Sequence, residues 1–356
     1  MYIKLFIMSK LSIGVILLMA IGFFSCETDI DVNAEPTDIT VVYGLIDPAD
    51  TIHYLKINKA FLGEGSALDL AANSSNYTYT DDELNVSIDD GNGNNYTLIR
   101  VTNEISKETG IFDSLTNVLY KFTEANINRN STYTLTIVNT KLNKEVTAET
   151  KIVGNTSVSV KNKIRLWNGI DNYLSVPIDI NVGENVGRGQ VWFVFHYTEY
   201  YTLASGLAPI TKEVLIGLGE KKVANASSST LNFSLKGNVF FDNVAANVSN
   251  PISIPHFSHR EIDNFSIKFS VAGSELSTYM EANAPSTTVN QDKPGYTNII
   301  DGVGIFSSRT KKEWDSGFDI NQRINYDDNT VTKLKELGLG FCWSISPTAT
   351  AKCIQL

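Results

Sequence analysis

The sequence predicts an all-β protein with two β-sandwich-like domains and a few short helices in the second. Three observations predict this class. Apolar and polar residues alternate with a period of two through most of the chain, turns rich in glycine and aspartate separate these segments, and one segment has the pattern of a tyrosine corner. At 356 residues, 42% of them hydrophobic, the chain is long enough to form two cores.

The first predicted domain covers residues 36–154. A turn with the sequence DDGNGN joins the predicted strand Leu84–Ile88 to its hairpin partner Tyr96–Val101. Ile127–Ile137 (INRNSTYTLTI) places Tyr133 at the start of an alternating strand, as in the tyrosine corner of immunoglobulin-like sandwiches. We therefore expect an immunoglobulin- or fibronectin-III-like sandwich here.

The second predicted domain covers residues 155–356 and is also rich in β-structure. Its clearest alternating segments are 174–180, 191–197 and 265–271. Two short helices are expected. One is Glu275–Ala282, with Ser274 as its N-cap, and the other is Thr330–Leu337, which Gly338 ends.

The N-terminus predicts a lipoprotein signal peptide over residues 1–25. Its only charges are two lysines, and its apolar core Leu11–Phe24 is shorter than the roughly 20 residues that span a bilayer. Ser25-Cys26 resembles the lipobox of bacterial lipoproteins, whose cysteine is acylated, and an acidic tether (26–35) follows. We therefore predict lipidation at Cys26 and an outer-membrane location on the surface or periplasmic side. The alternative is a plain secreted protein with a chance cysteine.

Charge and cysteine content limit the partners. Loss of residues 1–25 removes two lysines and no acid, so the formal charge falls from −10 to −12. An acidic protein repels nucleic acid, which is therefore not an expected partner. Cys342 and Cys353 lie near the C-terminus and would be in a compartment that permits disulfides. A bridge between them and two buried free thiols both fit the sequence.

No pattern in the sequence predicts an enzyme, a metal site or a cofactor. The chain has no G-x-S-x-G nucleophile motif. The pair His256 and His259 lacks a third ligand for a metal. The turn Asp89–Asn95 is rich in oxygen ligands, but a hairpin turn explains it and a calcium site is the alternative.

Aromatic residues are the candidates for binding. Trp192, Tyr197, Tyr200 and Tyr201 lie in the segment VWFVFHYTEYYTL. Those that face outward would stack on a sugar or contact a partner protein, because exposed tyrosine and tryptophan favour interfaces. The alternative is an ordinary aromatic strand core.

Two segments, Val41–Gly65 (VVYGLIDPADTIHYLKINKAFLGEG) and Asn298–Phe306 (NIIDGVGIF), resemble a family of Bacteroidota outer-membrane lipoproteins of unknown function. The resemblance implies an envelope location and a gene that often lies beside a TonB-dependent receptor. It brings no catalytic residues. We therefore expect a non-catalytic lipoprotein that binds a ligand or partner as an accessory to TonB-dependent uptake. The alternatives are a surface adhesin or structural envelope protein and, third, a hydrolase.

Overall fold

The computed structural model describes residues 39–60, 66–107, 110, 112, 115–161, 163–224, 228–285, 295–316 and 325–342. The predicted signal peptide, the acidic tether, Cys26 and Cys353 lie outside these ranges, so those predictions stay predictions. Strands dominate the described chain and helices are few and short, which confirms the all-β class.

Eight strands and a short helix form the first half. They are β1 Thr40–Ile46, β2 Ile52–Lys59, α1 Ala67–Ala71, β3 Leu84–Asp89, β4 Asn95–Thr97, β5 Ile99–Thr102, β6 Val118–Thr123, β7 Thr132–Asn139 and β8 Lys144–Lys151. One sheet has the order β1-β2-β6-β5 and the other β8-β7-β3-β4. This is the division of an immunoglobulin constant-type sandwich, in which strands A, B, E and D face strands G, F and C.

The predicted tyrosine corner is present. Tyr133 opens β7, is 1% exposed, and accepts a hydrogen bond from the backbone N–H of Asn128 at 2.9 Å. The side chain thereby fixes the chain where it passes from one sheet to the other.

The predicted hairpin is correct only in part. β3 pairs with β4, and the carboxylate of Asp90 accepts bonds from the backbone N–H groups of Asn92 and Asn94, as expected of a hairpin turn. The predicted strand Tyr96–Val101 is two short strands instead. Leu98 is buried between them, so the chain crosses to the other sheet and β5 pairs with β6.

The second half continues with strands and two helices. They are β9 Thr156–Val160, β10 Lys163–Ile164, β11 Ser175–Val182, β12 Val186–Tyr201, β13 Ile210–Lys222, β14 Ser229–Lys236, α2 Gly237–Asn247, β15 Phe257–Gly273 and α3 Ser274–Ala282. The last elements are β16 Ile299–Ile300, β17 Gly302–Asp315, β18 Asn325–Tyr326, α4 Asp328–Glu336 and β19 Phe341–Cys342.

Both predicted helices are present with shifted starts. α3 begins at Ser274 with Gly273 as its N-cap, and α4 begins one residue after Asp327, whose side chain accepts from the N–H of Thr330. α2 was not predicted. Its apolar residues have helical spacing, but no side chain caps its start, so the sequence lacks the usual start signal.

The long strand β17 belongs to both halves of the molecule. Gly302–Ser308 pair in parallel with β1, and Arg309–Asp315 pair with β15. A large sheet with the order β13-β12-β15-β17-β1-β2-β6-β5 therefore contains strands from both halves. β16 pairs with β8, so residues from the second half lie along the edges of both sheets of the first sandwich.

Close approach of β1 and β17 explains the glycines of the GVGIF segment. Gly304 has φ +117°, and a Cβ there would overlap the carbonyl oxygen of Val42. The hydroxyl of Ser308 follows at the junction of the two halves. Ser308 Oγ lies 2.8 Å from the carbonyl oxygen of Lys151 and 2.9 Å from the backbone nitrogen of Val153, so backbone groups buried there are satisfied.

Two hydrophobic cores result. The first contains residues from Val42 to Ile152 together with Ile299 and Phe306, and the second contains residues from Val153 to Phe341. The change of core at residues 152–153 lies beside the predicted boundary at 154. The segment around 299–306 is the exception: it was assigned to the second domain and packs in the first core, because β17 returns to pair with β1.

Candidate functional site

A groove lies on the outer face of the large sheet in the second half. Side chains alternate along β12, so that Phe193 and Phe195 point into the core while Gln190 and Trp192 face the opposite side. The groove has a volume of about 570 Å³, and its lining residues come from four neighbouring strands. They are Gln190, Trp192, Leu215, Lys268, Phe269, Ser270, Lys311, Lys312 and Glu313.

Strand register places the aromatic and charged side chains across the groove from one another. Trp192 is directly opposite Lys268, which is opposite Glu313. In the next outward-facing row, Gln190 is opposite Ser270, which is opposite Lys311. Two strand spacings, roughly 10 Å, therefore separate the tryptophan side from the charged side.

The indole of Trp192 lies beside a glycine of the neighbouring strand. Gly217 on β13 is the register partner of Trp192, and an added Cβ there would still lie 3.8 Å from the ring. Leu215 beside it is 48% exposed. Trp192 is partly exposed, so one wall of the groove offers an apolar surface to a ligand.

A second, smaller cavity continues the groove towards α3. Its volume is about 170 Å³, and Gln190 and Ser270 line both cavities. Its other lining residues include Arg188, Glu220 and Arg309. Arg188 is held by Glu220 at 2.7 Å and by the hydroxyl of Ser277 on α3 at 3.1 Å, so the helix is fixed at this end of the groove.

A serine, a histidine and two glutamates meet beside the groove. His196 Nε2 lies 2.8 Å from Ser266 Oγ, and His196 Nδ1 lies 3.9 Å from Glu213. Ser266 donates to Glu313 and is 1% exposed. A serine nucleophile needs access to substrate, and its proton passes to the histidine. This arrangement gives the Ser266 oxygen neither property, so we assign the network to holding neighbouring strands together.

The four predicted binding aromatics are separated by the structure. Trp192 lines the groove. Tyr197 is 3% exposed in the second core, so its prediction as a surface binding residue is wrong: odd positions of β12 point inward here. Tyr200 stacks on His259 with ring centroids 4.8 Å apart, and the hydroxyl of Tyr201 donates to Glu199 at 2.9 Å.

Sequence reasoning missed a buried ion pair at the end of β12. Arg260 and Glu199 are 0% and 1% exposed and lie 2.9 Å apart. Burial acts to raise the pKa of Glu199, but hydrogen bonds from Lys212, Tyr201 and Arg260 outweigh it and lower that pKa. No sequence signal could have found the pair, because the two residues lie far apart in the chain and read as ordinary strand charges.

The structure describes one of the two cysteines of the predicted bridge. Cys342 is disulfide-bonded, and its partner lies outside the described residues, so pairing with Cys353 stays a prediction. Across the described ranges, no group of three or more histidine, cysteine, aspartate or glutamate residues is placed to hold a metal ion. Helices in the same ranges are all too short or too polar to cross a membrane.

Comparisons with known proteins identify no family. No known family and no curated protein matches the chain. Among solved structures, a crystal structure of the chicken CNTN1 FN1–FN3 domains aligns with 78% of this chain and 67% of its own length, at 10% identity and a TM-score of 0.17. A likeness this weak carries no argument, and the sandwich assignment depends on strand order and the tyrosine corner.

Proposed function

We propose that this chain is a non-catalytic, lipid-anchored protein of the outer membrane that binds a ligand in the Trp192 groove. In this proposal it serves a TonB-dependent uptake system as an accessory. The single observation that carries the binding role is the partly exposed Trp192, opposite Lys268 and on the same strand face as Gln190, in a groove of about 570 Å³. Binding sites commonly combine an apolar wall with a few placed polar groups.

The cysteine pairing sets a condition on the anchor. The chain has three, and Cys342 is in a disulfide, so its partner is Cys26 or Cys353. An acylated sulfur cannot also form a disulfide. Lipidation at Cys26 therefore requires the pair Cys342–Cys353, and one peptide map under non-reducing conditions checks both assignments.

The resemblance of Val41–Gly65 and Asn298–Phe306 to envelope lipoproteins supports the location and the partner. Val41–Gly44 of the first segment pair in parallel with Val303–Phe306 of the second. The likeness therefore concerns one continuous structural feature, the closure of the first sandwich.

A second candidate, a surface adhesin, is favoured by an apolar tip. The tip consists of loops 202–210 and 249–256, which contain no lysine, arginine, aspartate or glutamate and are joined by a bond from Thr202 N–H to the carbonyl of His256 at 2.8 Å. Leu203 is 95% exposed and Ile252 is 94% exposed. Exposed apolar patches commonly mark interaction sites.

One set of complemented deletion strains tests both candidates. We expect Trp192→Ala to lose growth on limiting nutrient, while Trp167→Ala, a change of another partly exposed tryptophan outside the groove, does not. Labelled palmitate should enter the wild type and not Cys26→Ala. If Leu203→Asp instead abolishes attachment and Trp192→Ala leaves uptake intact, the adhesin is the better account.

A further inference from the structure

The charged residues that line the groove are mostly cationic, whereas the whole protein has a negative net charge. The chain carries a formal charge of −10. The two cavities together are lined by five cations and two carboxylates: Arg188, Lys268, Arg309, Lys311 and Lys312 against Glu220 and Glu313. A cleft of locally positive charge on an acidic protein raises the local concentration of anionic ligands.

Two of these cations already have partners. Arg188 pairs with Glu220 at 2.7 Å, and Lys268 pairs with Glu213 at 3.0 Å. Their charges are largely compensated and they support the walls of the groove.

Of the other three cations, Lys311 and Arg309 lie on the groove face of β17, whereas alternation turns Lys312 to the opposite face, where its register partner Phe269 belongs to the core. Among the residues that the structure describes, neither Lys311 nor Lys312 forms an ion pair, and the buried Nε of Arg309 has no hydrogen-bond partner. Lys311 is exposed on the same face of the sheet as Trp192. A ligand with negative charges would satisfy these groups, and one lacking them would leave them unpaired.

The remaining lining groups suit hydroxyls and an apolar ring face. Gln190 and Ser270 offer donors and acceptors, and Glu313 is an acceptor whose side chain is 44% exposed. Trp192 offers a flat apolar surface on the opposite wall. From Trp192 to Arg188 the groove follows four residues of strand, roughly 13 Å, which is long enough for a short run of linked sugar rings.

We propose that the groove binds an acidic polysaccharide, with a sugar ring stacked on Trp192 and its carboxylates paired with Lys311 and Arg309. This inference rests on the proposed binding function and adds the class of ligand. Single-stranded nucleic acid also combines rings with negative charge, but Trp192 is the one outward-facing aromatic among the described lining residues, so successive bases would have no second ring to stack on. Sugar hydroxyls can in addition donate to Glu313.

Calorimetric titration of the full mature protein with galacturonate oligomers and with neutral cello-oligosaccharides of equal length tests the proposal. We expect the acidic oligomers to bind at least about tenfold more tightly, with affinity that falls as salt is raised. Trp192→Ala and Lys311→Glu should each weaken binding about tenfold. Trp167→Ala and Lys163→Glu make the same chemical changes outside the groove and should leave binding unchanged. Lys311 is exposed, so its variant tests the groove even if Trp192→Ala folds poorly.

Each contrary outcome has a distinct meaning. Equal binding of neutral oligomers that depends on Trp192 would overturn the acidic class and leave the proposed binding function standing. Equally tight binding of single-stranded DNA would also overturn it. If no oligomer binds, the polysaccharide inference fails, while the palmitate and growth measurements decide the proposed function independently.

Discussion

The two cores of this protein use the chain differently. The second core is assembled from residues within 153–341 alone, whereas the first needs Ile299 and Phe306 in addition to its own continuous segment. The first has the regular strand order of an immunoglobulin-like sandwich, but a strand from the second half covers its edge. A sandwich that is local in sequence is thus completed by a long-range strand.

The shared strand shows the contrast within fourteen residues. The part of β17 that pairs with β1, GVGIFSS, has no charge, and the part that pairs with β15, RTKKEWD, is mostly charged. Gly304–Ser308 of the first part are buried at the close approach of two strands, while the second part borders the open groove. The same strand therefore completes one core and lines the groove beside the other.

Gly304→Ala should have the largest effect, because it disrupts the pairing of the shared strand β17 with β1. The added Cβ meets the carbonyl of Val42 and the φ of +117° is strained for any other residue. We expect a loss of about 4 kcal/mol or more in the free energy of unfolding, measured by urea titration. Hydrogen exchange should accelerate first in β1 and β8. Gly295→Ala is the control, since nothing lies within 4 Å of its Cβ. If Gly304→Ala accelerates hydrogen exchange equally in the two cores, then both cores depend on β17 to the same extent and the comparison fails.

Glu199→Gln should destabilise the second core by about 3 kcal/mol, because it leaves Arg260 as an uncompensated buried charge. Glu281→Gln breaks an exposed pair with Lys222 and should cost under about 1 kcal/mol. The lowered pKa of Glu199 means that its stabilisation is complete above the ordinary value of 4.5 and is lost as pH falls through the folded-state pKa. Thermal unfolding followed from neutral to acidic pH should show this loss in the wild type and not in Glu199→Gln. If Glu199→Gln is as stable as the wild type, the buried pair of Glu199 and Arg260 does not stabilise the second core.

Tyr133→Phe should have the smallest effect, a loss of about 1–2 kcal/mol in the first core, because the N–H of Asn128 then has no buried acceptor. Tyr54→Phe, whose hydroxyl donates to Glu104 at an exposed site, should change the unfolding midpoint little. If both variants unfold alike, Tyr133 does not act as a corner.

Sequence patterns predicted local structure well and side-chain partners poorly. The alternation at 191–197 gave a strand correctly, and Tyr133 gave the sandwich type. The same alternation does not indicate which face of β12 is covered by the core. Trp192 and Tyr197 were therefore both predicted as binding aromatics, although Trp192 lines a groove and Tyr197 lies in the core. Helix α2 was missed because Lys236 at its N-cap makes no capping bond.

By itself, the sequence determined the strand periodicity, the turns and the corner, since each depends on residues a few positions apart. The tertiary structure decided that β17 joins both cores, that Glu199 pairs with Arg260, and that Trp192 and Lys311 line one groove. These depend on register between strands whose paired residues lie up to 262 positions apart, as Thr40 and Gly302 do. Pattern fixes which side chains share a face of one strand, but only the paired sheet fixes which strands lie beside each other.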